Sequence, residues 1–502
     1  MSASRLVMID LSGQVITPDE REMLASRRFG GLCVFGRNIA DRHQLGDLIA
    51  SVRELAGPDF VVAIDQEGGG VLRLFDVPYP PSAMALGAAD DPELTFDVAL
   101  ATARGLRSVG VNVDFAPVAD VNVNPLNPVI ADRSFGSDPA AVGAHVAAFT
   151  RGLQEGGVAA TLKHFPGHGD TDLDSHVALP TLNRGLDALR ALELPPFRAG
   201  IEAGAAAVMT AHIVFPELDR ELPATLSPFV LKSVLRDGLG FGGVVFSDAL
   251  DMKAIADRWP PERANVLALQ AGVDMACNIG PVPQHMAVAD ALDVAVAAGE
   301  YDPAASLERL GRLASSFPAA APDAQSAWNE GDRELLERAA AAGLTALGEL
   351  PRLEPGVPVT VVASHGVWVN SAQQQQVSPG RDFAAELERA GVPVRLLTFQ
   401  TDRLGETGYP DGLIAALGAG TVVFVTSRRT PLSEDEVALA VRLRDEAGSR
   451  YVHVALWNPY HALRVPGPTL LTYGFRPATL TAAVWALLGA PVTGRLPFDA
   501  AA

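Results

Sequence analysis

Short runs of consecutive apolar residues, each about one strand long, recur through the first half of the chain with helix-forming segments between them. There are eight: Leu6 to Ile9, Gly31 to Phe35, Phe60 to Ile64, Val111 to Phe115, Val158 to Leu162, Ala206 to Met209, Val244 to Phe246 and Asp274 to Cys277. In Phe60-Val61-Val62-Ala63-Ile64 the apolar residues are consecutive rather than alternate, the pattern of a parallel strand covered on both faces. Eight strand–helix units in roughly 300 residues meet the requirement of a closed (β/α)8 barrel. At 502 residues the chain is too long for that core alone, since single domains split beyond roughly 250 to 300 residues. Four more buried-strand runs follow, at Val359 to Val362, Val394 to Leu397, Thr421 to Val425 and Tyr451 to Leu456, with a helical stretch at Glu434 to Glu446. The expected fold class is α/β: an N-terminal TIM-type barrel over residues 1–325, a helical segment and linker over 326–355, and a smaller C-terminal α/β (αβα sandwich) domain with a parallel sheet over 356–502.

A net charge of −20 argues against polyanionic partners, so neither nucleic acid nor an anionic membrane face is expected. The two cysteines, Cys33 and Cys277, sit inside apolar runs, which suits buried free thiols in a reducing compartment. The apolar run before Asp10, Leu6 to Ile9, is too short for a signal-peptide core or a membrane span, and a cytoplasmic protein is expected.

The segment from Lys163-His164-Phe165-Pro166-Gly167-His168-Gly169-Asp170 to Asp174-Ser175-His176 packs one lysine, three histidines and three aspartates into fourteen residues directly after the fifth run. A polar loop with satisfied histidines is the bland alternative. Cations, imidazoles and carboxylates leaving the end of a buried strand together are what a barrel's active face requires. Two other strand ends carry charge: Asp65-Gln66-Glu67-Gly68-Gly69-Gly70, with Arg73 shortly after, and Ser247-Asp248. For Asp65 and Asp248 a helix cap is the structural alternative. A long loop rich in proline and asparagine follows the fourth run and holds Asp120 and Arg133, for which an ordinary ion pair is the alternative.

In their order along the chain, Asp65-Gln66-Glu67-Gly68-Gly69, Arg133-Ser134-Phe135-Gly136, Lys163-His164-Phe165-Pro166-Gly167-His168-Gly169, Asp174-Ser175-His176, Pro223-Ala224-Thr225-Leu226-Ser227 and Phe246-Ser247-Asp248-Ala249-Leu250 resemble glycoside hydrolase family 3, and within it the β-N-acetylglucosaminidase (NagZ-like) branch that serves peptidoglycan recycling. The resemblance spans the first domain. In the second it rests on Asn458-Pro459-Tyr460 and Gly494-Arg495-Leu496-Pro497. It implies a retaining exo-β-N-acetylglucosaminidase acting on terminal N-acetylglucosamine of muropeptide or chitooligosaccharide fragments, a monomer or weak homo-oligomer with no cofactor and no metal. It makes Asp248 the nucleophile, Asp174 and His176 the acid/base dyad, and Asp65, Arg73, Arg133, Lys163 and His164 the sugar pocket. Gly70, where many relatives carry arginine, and Ala249, where a second aspartate often follows the nucleophile, depart from the pattern.

The chemistry suits those residue types. A retaining glycosidase needs a carboxylate to attack the anomeric carbon and an acid on the opposite face to protonate the leaving oxygen. A histidine titrating near pH 6.5 can give and recover a proton at neutrality, and an aspartate two residues earlier can fix its tautomer. Gly167 and Gly169 read as hinges that let the loop deliver the dyad to bound sugar. The rivals are a β-N-acetylglucosaminide phosphorylase, a metal-dependent barrel hydrolase using His164, His168, His176 and Asp248, a Schiff-base lyase built on Lys163, and a non-catalytic sugar-binding protein.

Overall fold

The computed structural model describes residues 3–173, 178–368 and 376–499. Eight parallel strands form the first sheet: β1 (Val7–Ile9), β2 (Gly31–Val34), β3 (Val61–Ile64), β4 (Val113–Asp114), β5 (Ala159–Phe165), β6 (Ala207–Thr210), β7 (Val244–Phe246) and β8 (Ala276–Cys277). Their order is β7-β6-β5-β4-β3-β2-β1-β8, and a bridge between Phe246 and Met275 brings the two ends together into an (β/α)8 barrel. Every residue of these strands is buried, which is why the apolar runs were consecutive. β5 continues to Phe165, so Lys163 and His164 lie within the strand rather than past its end, and the register against β6 shifts between Leu162 and Phe165.

The covering helices begin by a repeated device. Asp91 and Asp138 each cap a helix by accepting two backbone N–H groups, and the next residue, Pro92 or Pro139, starts the helix with its φ already fixed. These two helices, Pro92–Ser108 and Pro139–Glu155, cross closely at Gly152, where a Cβ would stand 2.4 Å from the carbonyl oxygen of Phe96.

Beyond the barrel, a six-stranded sheet contains β9 (Thr345–Leu347), β10 (Val359–Ser364), β13 (Val394–Phe399), β14 (Val422–Thr426), β15 (Tyr451–Ala455) and β16 (Thr469–Leu471), in the order β13-β10-β14-β15-β16-β9. β11 (Val367–Trp368) and β12 (Gln376–Val377) form a separate antiparallel pair. The sheet is parallel except for β9, which runs antiparallel to β16 at the edge. The expected α/β class holds for both sheets. β9, from the segment read as helix and linker, and β16 were not among the apolar runs. Cys33 and Cys277 are buried free thiols. Among the described residues, no helix is long and apolar enough to cross a membrane.

At the foot of β8 the fully buried Asp274 receives Arg236 and Arg309, each at 2.7 Å, and the Ser306 hydroxyl at 2.6 Å. Removing a buried carboxylate strands its cations, at about 3 to 5 kcal/mol. Asp274→Ala should lower the unfolding free energy by about that amount in urea melts. An unchanged midpoint would show that the pair of guanidiniums is not held by this group.

Candidate active site

After β3 the chain doubles back on itself through one side chain. The Gln66 amide oxygen accepts the backbone N–H groups of Arg73 (3.1 Å) and Leu74 (3.2 Å), and its nitrogen donates to the Leu74 carbonyl (2.6 Å). Gly68 makes the return tight enough, at φ 114° with Pro81 oxygen 2.1 Å from where a Cβ would sit. Arg73 is thereby brought onto Asp65, Nη2 to Oδ2 at 3.1 Å.

From β5, Lys163 Nζ reaches Asp65 Oδ1 at 2.8 Å and Glu67 Oε1 at 2.5 Å. Arg133, from the long loop after β4, grips Glu67 with both arms, Nε to Oε2 at 2.7 Å and Nη2 to Oε1 at 2.8 Å. The same Nη2 lies 3.3 Å from His164 Nε2, and His164 Nδ1 lies 2.8 Å from Asp120 Oδ2. Facing a carboxylate that can only accept, His164 donates from Nδ1 to Asp120. Asp120 also accepts the backbone N–H of His168 at 2.7 Å. The five residues assigned to the sugar pocket, Asp65, Arg73, Arg133, Lys163 and His164, thus form one continuous network. Glu67 and Asp120 are its unforeseen junctions.

The charges hold one another ionised. Burial opposes charge on Asp65 and Glu67, but Lys163 and Arg73 on the first, and Arg133 and Lys163 on the second, outweigh it and keep both carboxyls below the usual carboxylate range. Burial likewise opposes the Asp120 charge and His164 overcomes it. Lys163 is pushed up by Asp65 and Glu67 against its own burial. For His168, burial followed by His164 outweighs the support of Asp120 and lowers the imidazole to about 4.

Asp248 lies two residues past β7, at the same end of the barrel, its Oδ1 accepting the backbone N–H of Ala249 at 2.8 Å. His212, just past β6 and absent from the expected site, lies 3.0 Å from the Ala249 carbonyl and 2.7 Å from the Thr225 hydroxyl, so it braces the backbone beside Asp248. A histidine immediately after a strand was the available signal. Lys163 and Arg133 are engaged by Asp65 and Glu67. Asp174 and His176 lie outside the described residues. Gly167 and Gly169 are required by packing: a Cβ would stand 2.5 Å from Glu193 Cγ at the first and 1.9 Å from the Val121 carbonyl at the second.

Loops of the second sheet touch the two barrel loops that carry this network. Arg476 Nε donates to the Gly69 carbonyl at 2.8 Å, and Trp457 packs where a side chain at Gly70 would go, 3.0 Å from its Cβ position.

A barrel whose strand ends present buried, paired cations and carboxylates beside a carboxylate at the end of β7 has the form of a hydrolase that handles polyhydroxylated substrates. Residues 3–315 match the family described as glycosyl hydrolase family 3 N terminal domain. The chain belongs to that family, and it is a glycoside hydrolase. A β-hexosaminidase of Stenotrophomonas maltophilia (strain R551-3) is 40% identical over 329 residues, 64% of this chain and 95% of the relative. Among solved structures, a glycoside hydrolase family 3 β-N-acetylglucosaminidase from Paenibacillus sp. FPU-7 superimposes with a TM-score of 0.89 at 32% identity, covering 100% of this chain and 99% of that one. NagZ from Neisseria gonorrhoeae, in complex with N-trifluoroacetyl-D-glucosamine, gives a TM-score of 0.57 at 31% identity over 67% of this chain.

Beneath the network, Asp114 at the end of β4 accepts the Gln66 backbone N–H at 3.0 Å, and burial lifts its carboxyl to about 8. The native state therefore keeps a proton that the unfolded chain, titrating near 3.8, releases, and stability drawn from this group falls as pH rises between those values. Asp114→Asn keeps an acceptor for Gln66. Its melting temperature relative to the native protein should climb from pH 4 to pH 8 in scanning calorimetry. A constant difference would contradict the assignment.

Proposed function

We propose that the protein is a retaining exo-β-N-acetylglucosaminidase that removes terminal β-linked N-acetylglucosamine from muropeptide or chitooligosaccharide fragments. The observation that carries this reading is the buried network of Asp65, Lys163, Glu67 and Arg133 at the mouth of a family 3 barrel, with Asp248 on the same face. The whole-length likeness to a β-N-acetylglucosaminidase supports the choice of sugar.

In this reading, Asp65 accepts sugar hydroxyls while Arg73 and Lys163 hold it charged, and Arg133 and His164 face the ring's polar substituents. Asp248 attacks C1, forming a glycosyl-aspartate ester as the C1–O bond to the aglycone breaks. His176 gives its proton to that departing oxygen, with Asp174 supporting the imidazolium. In the second half His176 takes a proton from water, whose oxygen bonds to C1 and releases Asp248 as carboxylate. Residues 1–325 make up the catalytic domain, 326–355 the connecting segment and 356–502 the second domain. The enzyme works in the cytoplasm, as part of peptidoglycan recycling, as a monomer or weak homo-oligomer.

Asp248→Ala should lower kcat on 4-nitrophenyl N-acetyl-β-glucosaminide by about 10^3-fold or more, and His176→Ala should lower it and remove the pH dependence assigned to the imidazole. Excess chelator should leave turnover unchanged. Loss of activity in chelator would favour the metal-dependent rival, and sugar 1-phosphate appearing in phosphate buffer would mark a phosphorylase.

A further inference from the structure

Arg133 is presented by a single turn, Ala131–Arg133, and that turn is held from outside the barrel. Ala131 adopts φ 41°, a left-handed conformation that a residue with a Cβ keeps only when its surroundings impose it. Its backbone N–H donates to the Asn122 side-chain oxygen at 3.2 Å, and the Asn122 amide nitrogen donates to the Tyr460 hydroxyl at 2.7 Å. The next residue, Asp132, is 1% exposed and faces Arg429, Oδ1 to Nε at 3.9 Å. Arg429 in turn lies over the Trp457 ring, 5.7 Å from its centre. Tyr460 and Arg429 come from the loops after β15 and β14, and Tyr460 stands 338 residues along the chain from the Asn122 it touches.

We infer that Tyr460 and Arg429 are positioning residues of the sugar pocket, fixing Arg133 by acting through Asn122 and Asp132. The inference rests on Arg133 being a pocket residue, and it gives the second sheet a part in substrate binding. The geometry makes the coupling direct. Arg133 follows Asp132 in the chain, so a turn released on its outer side swings the guanidinium that grips Glu67 on its inner side. Burial already works against the Asp132 charge, lifting its carboxyl to about 6, and Arg429 is the first of the groups that oppose this.

Tyr460→Phe removes the hydroxyl and retains the ring that packs on Phe498 at 4.5 Å. Arg429→Met removes the cation, and Arg429→Lys restores it. With 4-nitrophenyl N-acetyl-β-glucosaminide, KM should rise about fivefold in Tyr460→Phe and in Arg429→Met while kcat stays within about twofold, as expected when one hydrogen bond or ion pair that orients a binding group is lost. Arg429→Lys should recover at least half of the change. In an Arg133→Lys background, Tyr460→Phe should have little further effect, because residues acting through one group are not additive. Thermal melts read folding separately, and Tyr460→Phe, the milder change, decides the matter if Arg429→Met unfolds. KM unmoved in Tyr460→Phe, or the same rise repeated in the Arg133→Lys background, would overturn the inference alone. Native kinetics in Arg133→Lys by itself would overturn the pocket reading as well.

Discussion

Two cations and two carboxylates share a space almost closed to water at the mouth of the barrel, and the site is organised around them. Lys163 is 2% exposed and Glu67 5%, so neither charge is supportable by solvent. Taking such ions out of water costs several kcal/mol each, recovered only when partners are close and the geometry is good. Lys163 between Asp65 and Glu67, and Arg133 with both arms on Glu67, satisfy that condition. Each carboxylate has two cationic partners, Asp65 in Lys163 and Arg73 and Glu67 in Lys163 and Arg133, so the set is paired without help from solvent. A rigid, prepaired set of donors and acceptors is what a pocket for a polyhydroxylated ring requires, because little ordering remains to be done on binding.

The fold supplies these four groups from distant places. Asp65 and Glu67 leave β3, Lys163 stands within β5, and Arg133 comes from the loop that separates β4 from the helix at Pro139–Glu155. The barrel holds Lys163 within β5, and Asp65 and Glu67 on the first three residues after β3. The fourth sits on irregular backbone, and there the second sheet contributes Tyr460 against Asn122 and Arg429 against Asp132. Gly70 belongs to the same design, leaving room for Trp457 to approach the loop that carries Asp65 and Glu67.

How much of this was legible in the sequence follows from the range of the forces involved. All eight barrel strands showed as apolar runs because a parallel strand buried on both faces writes its environment into consecutive residues. β9 did not, being a sheet edge with two of its three residues only half-buried, and β16 did not, its Thr469-Leu470-Leu471 following directly on Pro466-Gly467-Pro468. Asp65, Arg73, Arg133, Lys163 and His164 could be singled out as charged groups at strand ends or in a long loop, together with their family resemblance. Glu67 and Asp120 were visible in their motifs, but their roles as junctions depend on partners 66 and 44 residues away, which no local pattern encodes. The same holds for Tyr460 and Arg429. Gly167 and Gly169 read from the sequence as hinges, whereas the close approach of Glu193 and Val121 to them becomes visible only once the chain is packed.

In the proposed reading, all of this serves a single covalent event at Asp248. The most direct measurement is mass spectrometry of the enzyme treated with a fluorinated N-acetylglucosaminyl fluoride, which forms a glycosyl-enzyme faster than water can resolve it. The account predicts one added sugar per chain, recovered after peptic digestion on the peptide containing Asp248. A sugar carried by another residue, or no adduct from enzyme that is slowly turning the reagent over, would contradict it.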